Sequence, residues 1–128
     1  MAYQIIFFGW CSEEGHDKVW GFVTVGENQL YNFWGKRGKR FSFKKHTLSR
    51  EPEWRRKWRT NGVWEAPELR GLRDLAEKKC EPGRKNGTYV EVPVDKIEEV
   101  VPDFFNEFEK QLTLAKLFDN FRNSPKDE

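Results

Sequence analysis

Residues 18–36 read KVWGFVTVGENQLYNFWGK and contain the clearest indication of the fold in this sequence. Two runs rich in β-branched and aromatic residues, Lys18–Val25 and Leu30–Trp34, flank the sequence Gly26-Glu27-Asn28. Such runs favour β-strands, and Gly and Asn tolerate the positive φ angles that a tight turn requires. The stretch therefore predicts a β-hairpin.

Further strands are predicted on both sides of this hairpin. Tyr3–Trp10 precedes it, Arg40–His46 follows it, and Thr88–Val94 supplies a later fifth strand. Four consecutive strands with short connections are typical of an antiparallel meander, which buries its apolar surface only when helices cover it.

Two helices are available for that purpose. Pro67–Lys79 has leucines at helical spacing and ends before a Pro-Gly pair. Asp103–Phe121 has Asp103 as its predicted N-cap. Its apolar stripe consists of Phe104, Phe105, Phe108, Leu112, Ala115, Phe118 and Phe121. We expect an α+β fold in which both helices cover one face of a four- to five-stranded antiparallel sheet. The same stripe also suits a homodimer interface, which stays open as an alternative.

The chain of 128 residues fits one domain, residues 1–128, with a C-terminal helical extension over about residues 95–122. Within this extension, Asp95 is expected to cap a short helix, Asp95–Val101. Cys11 and Cys80 have no metal-ligand spacing, so free thiols in a reducing compartment are expected. The apolar run Met1–Phe8 is too short for a signal peptide or a membrane span. These features indicate the cytoplasm, or the host cytoplasm for a viral protein, and no membrane partner.

Charge is distributed unevenly along the chain. The formal net charge is only +2, yet residues 34–59 carry eleven Lys and Arg against two acidic residues. Solubility alone favours interspersed charges, so a local basic block indicates an acidic ligand.

The centre of this block is Trp34-Gly35-Lys36-Arg37-Gly38-Lys39-Arg40. The two glycines let the backbone turn sharply and let a ligand approach its amide groups. The Lys and Arg side chains can neutralise phosphates, and the indole offers a face on which a base can stack. The alternative is an ordinary solvated turn that follows a core tryptophan.

A second basic segment reads Trp54-Arg55-Arg56-Lys57-Trp58-Arg59. Aromatic residues interleaved with Arg and Lys are typical of surfaces that contact single strands or phosphates. We expect this segment, with Lys44 and Lys45, to extend the basic face of the Gly-bracketed turn. Alternatively, its tryptophans fill the core while the Arg stems cover apolar surface.

The Trp34–Gly38 motif resembles the signature of the WGR domain, a nucleic-acid-binding module of some poly(ADP-ribose) polymerases and small bacterial proteins. In that family a strand ends in Trp-Gly-Arg, and a second Gly follows one residue later. Trp34, Gly35 and Gly38 stand at matching positions, whereas Lys36 stands where the family has Arg, with Arg37 beside it.

The resemblance extends through the order of strands and the first long helix, over about residues 3–94. The Trp/Arg-rich insertion at residues 47–66 and the C-terminal helix depart from the family pattern. The resemblance implies a WGR-like fold, contact with DNA ends or backbones through Trp34, Lys36 and Arg37, and no catalysis.

We therefore expect a nucleic-acid-binding module, with DNA preferred to RNA as its partner, that is not an enzyme and needs no cofactor or metal. His16 beside Asp17 has no second ligand cluster that would indicate a metal site. The expected contact residues are Trp34, Gly35, Lys36, Arg37, Gly38, Lys39, Arg40, Lys44, Lys45, Arg55, Arg56 and Arg59. The alternative function is an adaptor or regulatory factor that binds an acidic protein. A small nuclease without a recognisable motif is a third reading.

Overall fold

The computed structural model describes residues 2–13, 15–58 and 64–122, except for the side chains of residues 58 and 120–122. The strands are β1 (Tyr3–Cys11), β2 (Lys18–Val25), β3 (Gln29–Lys36), β4 (Ser42–Thr47) and β5 (Val90–Glu91). The helices are α1 (Glu53–Trp58), α2 (Pro67–Lys79), α3 (Ile97–Val100) and α4 (Phe104–Arg122). A single 3₁₀ turn, Val94–Lys96, precedes α3.

The five strands form one antiparallel sheet in the order β4-β3-β2-β1-β5. This arrangement confirms the predicted α+β fold, because β1 to β4 form a meander and β5 adds to the free side of β1. The fifth strand is shorter than predicted. Val90 and Glu91 pair with β1, and the backbone N–H of Val92 donates to Phe8 O of β1 at 2.8 Å. The pairing does not begin earlier because Tyr89 donates its backbone N–H to Lys79 O at the end of α2.

The two long helices lie on opposite faces of the sheet. Leu72 and Ala76 of α2 belong to an apolar cluster with Trp20 and Phe22. In contrast, α4 contributes to a separate cluster that contains Phe33. The expectation that both helices cover one face is therefore wrong. The central strands present apolar side chains on both faces, so each face needs a cover.

A β-bulge in β1 sets which side chains point to which helix. The register of β1 against β2 shifts between Ile5 and Phe7. As a result, Ile5 and Phe8 belong to the cluster under α4, whereas Phe7 and Cys11 belong to the cluster under α2. A bulge breaks the strict alternation of side chains along a strand, and here it supplies aromatic rings to both layers.

The layer under α4 is mainly aromatic. The fully buried ring of Phe108 lies within ring-contact distance of five others, those of Tyr3, Phe33, Phe41, Phe43 and Phe104. The predicted stripe is only partly confirmed, because Phe118 is 62% exposed. Burial and the charge of the neighbouring Asp119 raise the pKa of Tyr31 of the sheet, so Asp119 is directed towards the sheet, and adjacent helical residues point about 100° apart. Phe121 lies outside the described side chains.

The segment between β5 and α4 differs from prediction in its capping. Asp95 lies inside the 3₁₀ turn, and no side-chain cap is present at that turn or at α3. Instead, Glu98 accepts a hydrogen bond from the backbone N–H of Phe105 at 3.4 Å, which satisfies one free donor in the first turn of α4. The residue before α4, Asp103, has a φ of 62°, and its carboxylate accepts a hydrogen bond from the Asn106 side chain.

Candidate nucleic-acid interface

The Gly-bracketed turn is shorter than predicted. Strand β3 continues through Trp34, Gly35 and Lys36, and the turn comprises Arg37, Gly38 and Lys39. The backbone N–H of Lys39 donates to Lys36 O at 3.1 Å, and Gly38 has a φ of 80°. Trp34 and Lys36 therefore project from a strand, two residues apart and on the same face.

Gly35 allows a close approach within this hairpin. A Cβ atom at this position would lie 3.2 Å from Arg40 O and 3.3 Å from the Phe41 ring, at a φ of 157°. Phe41 is one of the buried rings under α4. Gly35 therefore has a packing role, because it lets the chain segment that carries Phe41 lie directly against β3.

The face that carries Trp34 and Lys36 is the α2 side of the sheet. Trp34 pairs with Trp20 of β2, and Lys36 pairs with Lys18. Lys44 of β4 belongs to the same face, because it pairs with the β3 residue two positions before Trp34. Trp34 is 38% exposed, and Lys36 and Lys44 are exposed as well. Of the predicted contact residues, these three share one surface, hereafter the Trp34 face.

Three other predicted residues lie on the α4 side. Lys39 and Arg40 line a groove of about 520 Å³ between the turn and α4, which also contains Glu107. Lys45 pairs with Tyr31, whose ring belongs to the cluster under α4. Because adjacent residues of a strand point to opposite faces, Lys44 and Lys45 cannot serve the same flat surface.

Arg37 is engaged within the protein. Its Nε donates to Asp17 Oδ1 at 2.8 Å, and its Nη1 donates to Val100 O at 3.0 Å. The guanidinium lies 5.4 Å from the centroid of the Trp10 ring, and Trp10 Nε1 donates to the same Asp17 oxygen at 2.8 Å. The hydrogen bonds from Arg37 and Trp10 lower the pKa of Asp17. These contacts, hereafter the Arg37 latch, join the turn to the β1–β2 loop and to α3.

The second basic segment lies at the other end of the sheet. Arg56 lines a groove with Glu27 and Asn28 of the β2–β3 turn. That turn and the one containing Gly38 are separated by the length of β3, roughly 25 Å for eight residues in a strand. The expectation that α1 extends the basic face of the Gly-bracketed turn is therefore wrong.

Within α1 the arginines and tryptophans have different surroundings. Arg55 donates to Glu51 at 3.2 Å and lies 5.5 Å from the centroid of the Trp64 ring. Trp54 is 68% exposed, so it does not fill the core. Arg59 and the Trp58 side chain lie outside the described residues.

Two lysines that the sequence did not indicate lie on the α2 side as well. Lys79 at the end of α2 lies 5.1 Å from the centroid of the Trp20 ring and 5.4 Å from that of Tyr89. Lys18 lies 5.7 Å from the Tyr89 centroid and donates to Asn86 O at 2.9 Å. Burial lowers the pKa of Lys79, and two neighbouring cations, one of them Lys18, lower it further. The alternation of side chains along β2 predicts that Lys18 and Trp20 share a face. The position of Lys79 near Trp20 depends instead on how α2 packs against the sheet.

Two properties of the described residues, 2–13, 15–58 and 64–122, bear on metal binding and membrane insertion. No three His, Cys, Asp or Glu side chains there are grouped so that they could hold a metal ion. No helix in the same ranges is both long and apolar enough to cross a membrane.

Comparisons with protein families, with curated proteins and with solved structures find no match for this chain. The resemblance to the WGR domain therefore rests on the residues quoted above, chiefly Trp34, Gly35 and Gly38.

Proposed function

We propose that this chain is a non-catalytic nucleic-acid-binding module whose contact surface is the Trp34 face. One observation carries the proposal: a large aromatic side chain is left exposed on a strand, with lysines on the same face at neighbouring positions. On the opposite face of the same hairpin, Phe33 and Phe41 are buried completely or nearly so, whereas 38% of Trp34 stays accessible.

The chemistry of the face suits a nucleic-acid backbone. An exposed indole can stack on a base or sugar, which contributes about 1–3 kcal/mol per stacked base. Lys36 and Lys44 can each neutralise a phosphate as point charges, a contact that positions a strand without reading its sequence. The resemblance to the WGR domain points to the same two residues, Trp34 and Lys36, and to DNA as the preferred ligand.

The neighbours Lys44 and Lys45 supply a matched test. Fluorescence anisotropy would compare blunt duplex DNA, single-stranded DNA and duplex RNA of equal length at low and moderate salt. We expect Lys44→Gln to weaken binding and to reduce its salt dependence, because its side chain lies on the Trp34 face. Lys45→Gln, which removes the same charge from the other face, should bind like the unmodified chain.

Two results would contradict the proposal. Equal losses in both variants would show that binding follows net charge rather than a face. Absence of binding to all three nucleic acids at low salt would overturn the function itself. An acidic protein would then be the better partner, and competition with free nucleic acid separates these two cases.

A further inference from the structure

A group of cations lies beside the Trp34 face, around the start of β2. Lys18 and Lys36 stand directly opposite each other in the β2–β3 ladder. Lys79 approaches the same Tyr89 ring as Lys18, at 5.4 and 5.7 Å from its centroid. The charge of Arg84 also lowers the pKa of Lys79.

These cations repel one another in the free protein. Like charges directly opposite in a sheet are destabilising, and Lys79 is partly buried, where water screens the repulsion less. Among residues 2–13, 15–58 and 64–122, the ion pairs involve other side chains, and none includes Lys18, Lys36, Lys79 or Arg84. In the same ranges, Arg84 Nη1 is buried without a hydrogen-bond partner. An anion bound among these groups would relieve the repulsion.

A surface depression lies beside two of these cations, Lys18 and Lys36. Lys18 and Lys36 line a cavity of about 460 Å³ together with Gly15, His16 and Asp17 of the β1–β2 loop. Among the described residues that line it, Asp17 supplies the carboxylate, and this group is already held by Arg37 and by Trp10. The negative charge of Asp17 is thus directed to the Arg37 latch. The Lys18 ammonium donates one hydrogen bond to Asn86 O, and its two other N–H groups and those of Lys36 can serve a ligand.

We propose that Lys18 and Lys36, with Lys79 beside them, form a seat for a phosphate group in this depression. Two or more ammonium groups around one small cavity suit a multiply charged oxyanion, whose oxygens accept several charge-assisted hydrogen bonds at once. The seat adjoins Trp34, which lies two residues before Lys36 on the same face.

This proposal rests on the proposed function in one respect, because nucleic-acid binding would supply the phosphate that occupies the seat. A phosphate in the seat could belong to a bound nucleic-acid strand or could be a free ion. The chemistry is the same in both cases, and the two sources are separated by competition.

Isothermal titration calorimetry with inorganic phosphate tests the seat at constant ionic strength, with chloride as the replaced anion. We expect saturable binding that Lys18→Gln and Lys36→Gln each weaken about tenfold, the change that follows from loss of one charge-assisted hydrogen bond. Lys39→Gln is the matched control, because Lys39 is an exposed lysine of the same hairpin on the α4 side.

A melting curve of each free variant accompanies the titration. Lys36→Gln removes a like charge from an exposed position, so we expect its melting temperature in phosphate-free buffer to equal or exceed that of the unmodified chain. Lost phosphate binding with a retained melting temperature supports the seat. Absence of phosphate binding in the unmodified chain, or equal affinities in Lys36→Gln and Lys39→Gln, overturns it.

Competition distinguishes the failure of this inference from failure of the proposed function. If phosphate binds and an oligonucleotide displaces it, the seat holds a nucleic-acid phosphate. If phosphate binds but no nucleic acid does, the seat stands and the proposed function is wrong. If inorganic phosphate does not bind, while an oligonucleotide binds equally well to Lys18→Gln, Lys36→Gln and the unmodified chain, the seat is wrong and nucleic-acid binding stands.

Discussion

Lys36 and Arg37 are adjacent cations that should respond differently to the same replacement by glutamine. Lys36 is exposed at the end of β3 on the Trp34 face. Arg37 donates hydrogen bonds to Asp17 and to Val100 O and is therefore held by the protein itself. We expect Lys36→Gln to change nucleic-acid binding with little effect on stability. Arg37→Gln should lower stability and change the salt dependence of binding less.

The size of the binding effect follows from counterion release. The logarithm of the affinity for duplex DNA falls with the logarithm of salt concentration by about 0.9 for each phosphate that a cation neutralises. If Lys36 contacts one phosphate, its removal reduces the slope by about that amount. Over a fourfold increase in salt, for example from about 50 to 200 mM, the unmodified chain should then lose about 3.5-fold more affinity than Lys36→Gln.

Anisotropy titrations of a labelled blunt duplex at three salt concentrations measure the slopes, and thermal unfolding of the same samples measures stability. An unchanged slope in Lys36→Gln would remove Lys36 from the interface. If Arg37→Gln reduced the slope as much as Lys36→Gln does and left the melting temperature unchanged, the proposed difference between Lys36 and Arg37 would be wrong. That result would mean that the Arg37 latch is not formed in solution and that its guanidinium faces the ligand.

Three further predictions concern the fold that supports the site. Gly35→Ala places a methyl group 3.2 Å from Arg40 O and should destabilise the protein by about 1–3 kcal/mol; an unchanged urea midpoint would contradict this. Phe108→Ala empties the centre of the aromatic layer and should cost about 3–5 kcal/mol by urea unfolding, whereas a loss below about 1 kcal/mol would mean that the rings repack. Because hydrogen bonds from Arg37 and Trp10 lower the pKa of Asp17, its charge stabilises the fold above its ordinary pKa, and this contribution is lost as pH falls through the lowered value. Melting temperatures between about pH 5 and 2 should therefore fall less steeply in Asp17→Asn than in the unmodified chain, and parallel curves would exclude this contribution.

The elements that depend on local signals were predictable from the sequence. The observed bounds of β2, Lys18–Val25, and of α2, Pro67–Lys79, are those predicted. In β2 the signal is a run of β-branched and aromatic residues before a Gly-containing turn. In α2 it is a proline in the first turn and a Pro-Gly pair soon after the end. Each of these signals lies within a few residues of the boundary that it sets.

The assignment of the helices to faces was not predictable in the same way, although one signal was present. Strand β1 contains the continuous apolar run Ile5–Phe8. Strand β2 contains the run Val19–Val23, in which Gly21 is the one residue without an apolar side chain. A strand with one buried face alternates, whereas a continuous run indicates burial on both faces. The bulge near Ile6 then decides which residue faces which helix, and no turn or glycine marks it in the sequence.

Residue type and position along a strand predicted part of the candidate site, but contacts between distant segments of the chain could not be predicted. Trp34 and Lys36 could be identified together because they are two residues apart on one strand. Lys36 and Arg37 could not be separated by type, because the partners of Arg37 are Asp17 and Val100, far away in the chain. The contribution of Lys79 depends on how α2 docks against Trp20.

The two helices that cover the sheet differ in length, and the candidate site lies on the face covered by the shorter helix, α2. Helix α4 has 19 residues, roughly 28 Å, whereas α2 has 13 residues, roughly 20 Å. On the α4 face, the buried rings of Phe33 and Phe41 pack at the end of the β3–β4 hairpin. On the other face, Trp34 stays 38% exposed beside lysines. The aromatic side chains of the hairpin on the α4 face are all less exposed than Trp34; these are Tyr31, Phe33, Phe41 and Phe43. The accessible part of the Trp34 indole and the neighbouring Lys36 and Lys44 are therefore the groups of this face that the fold leaves open to a ligand.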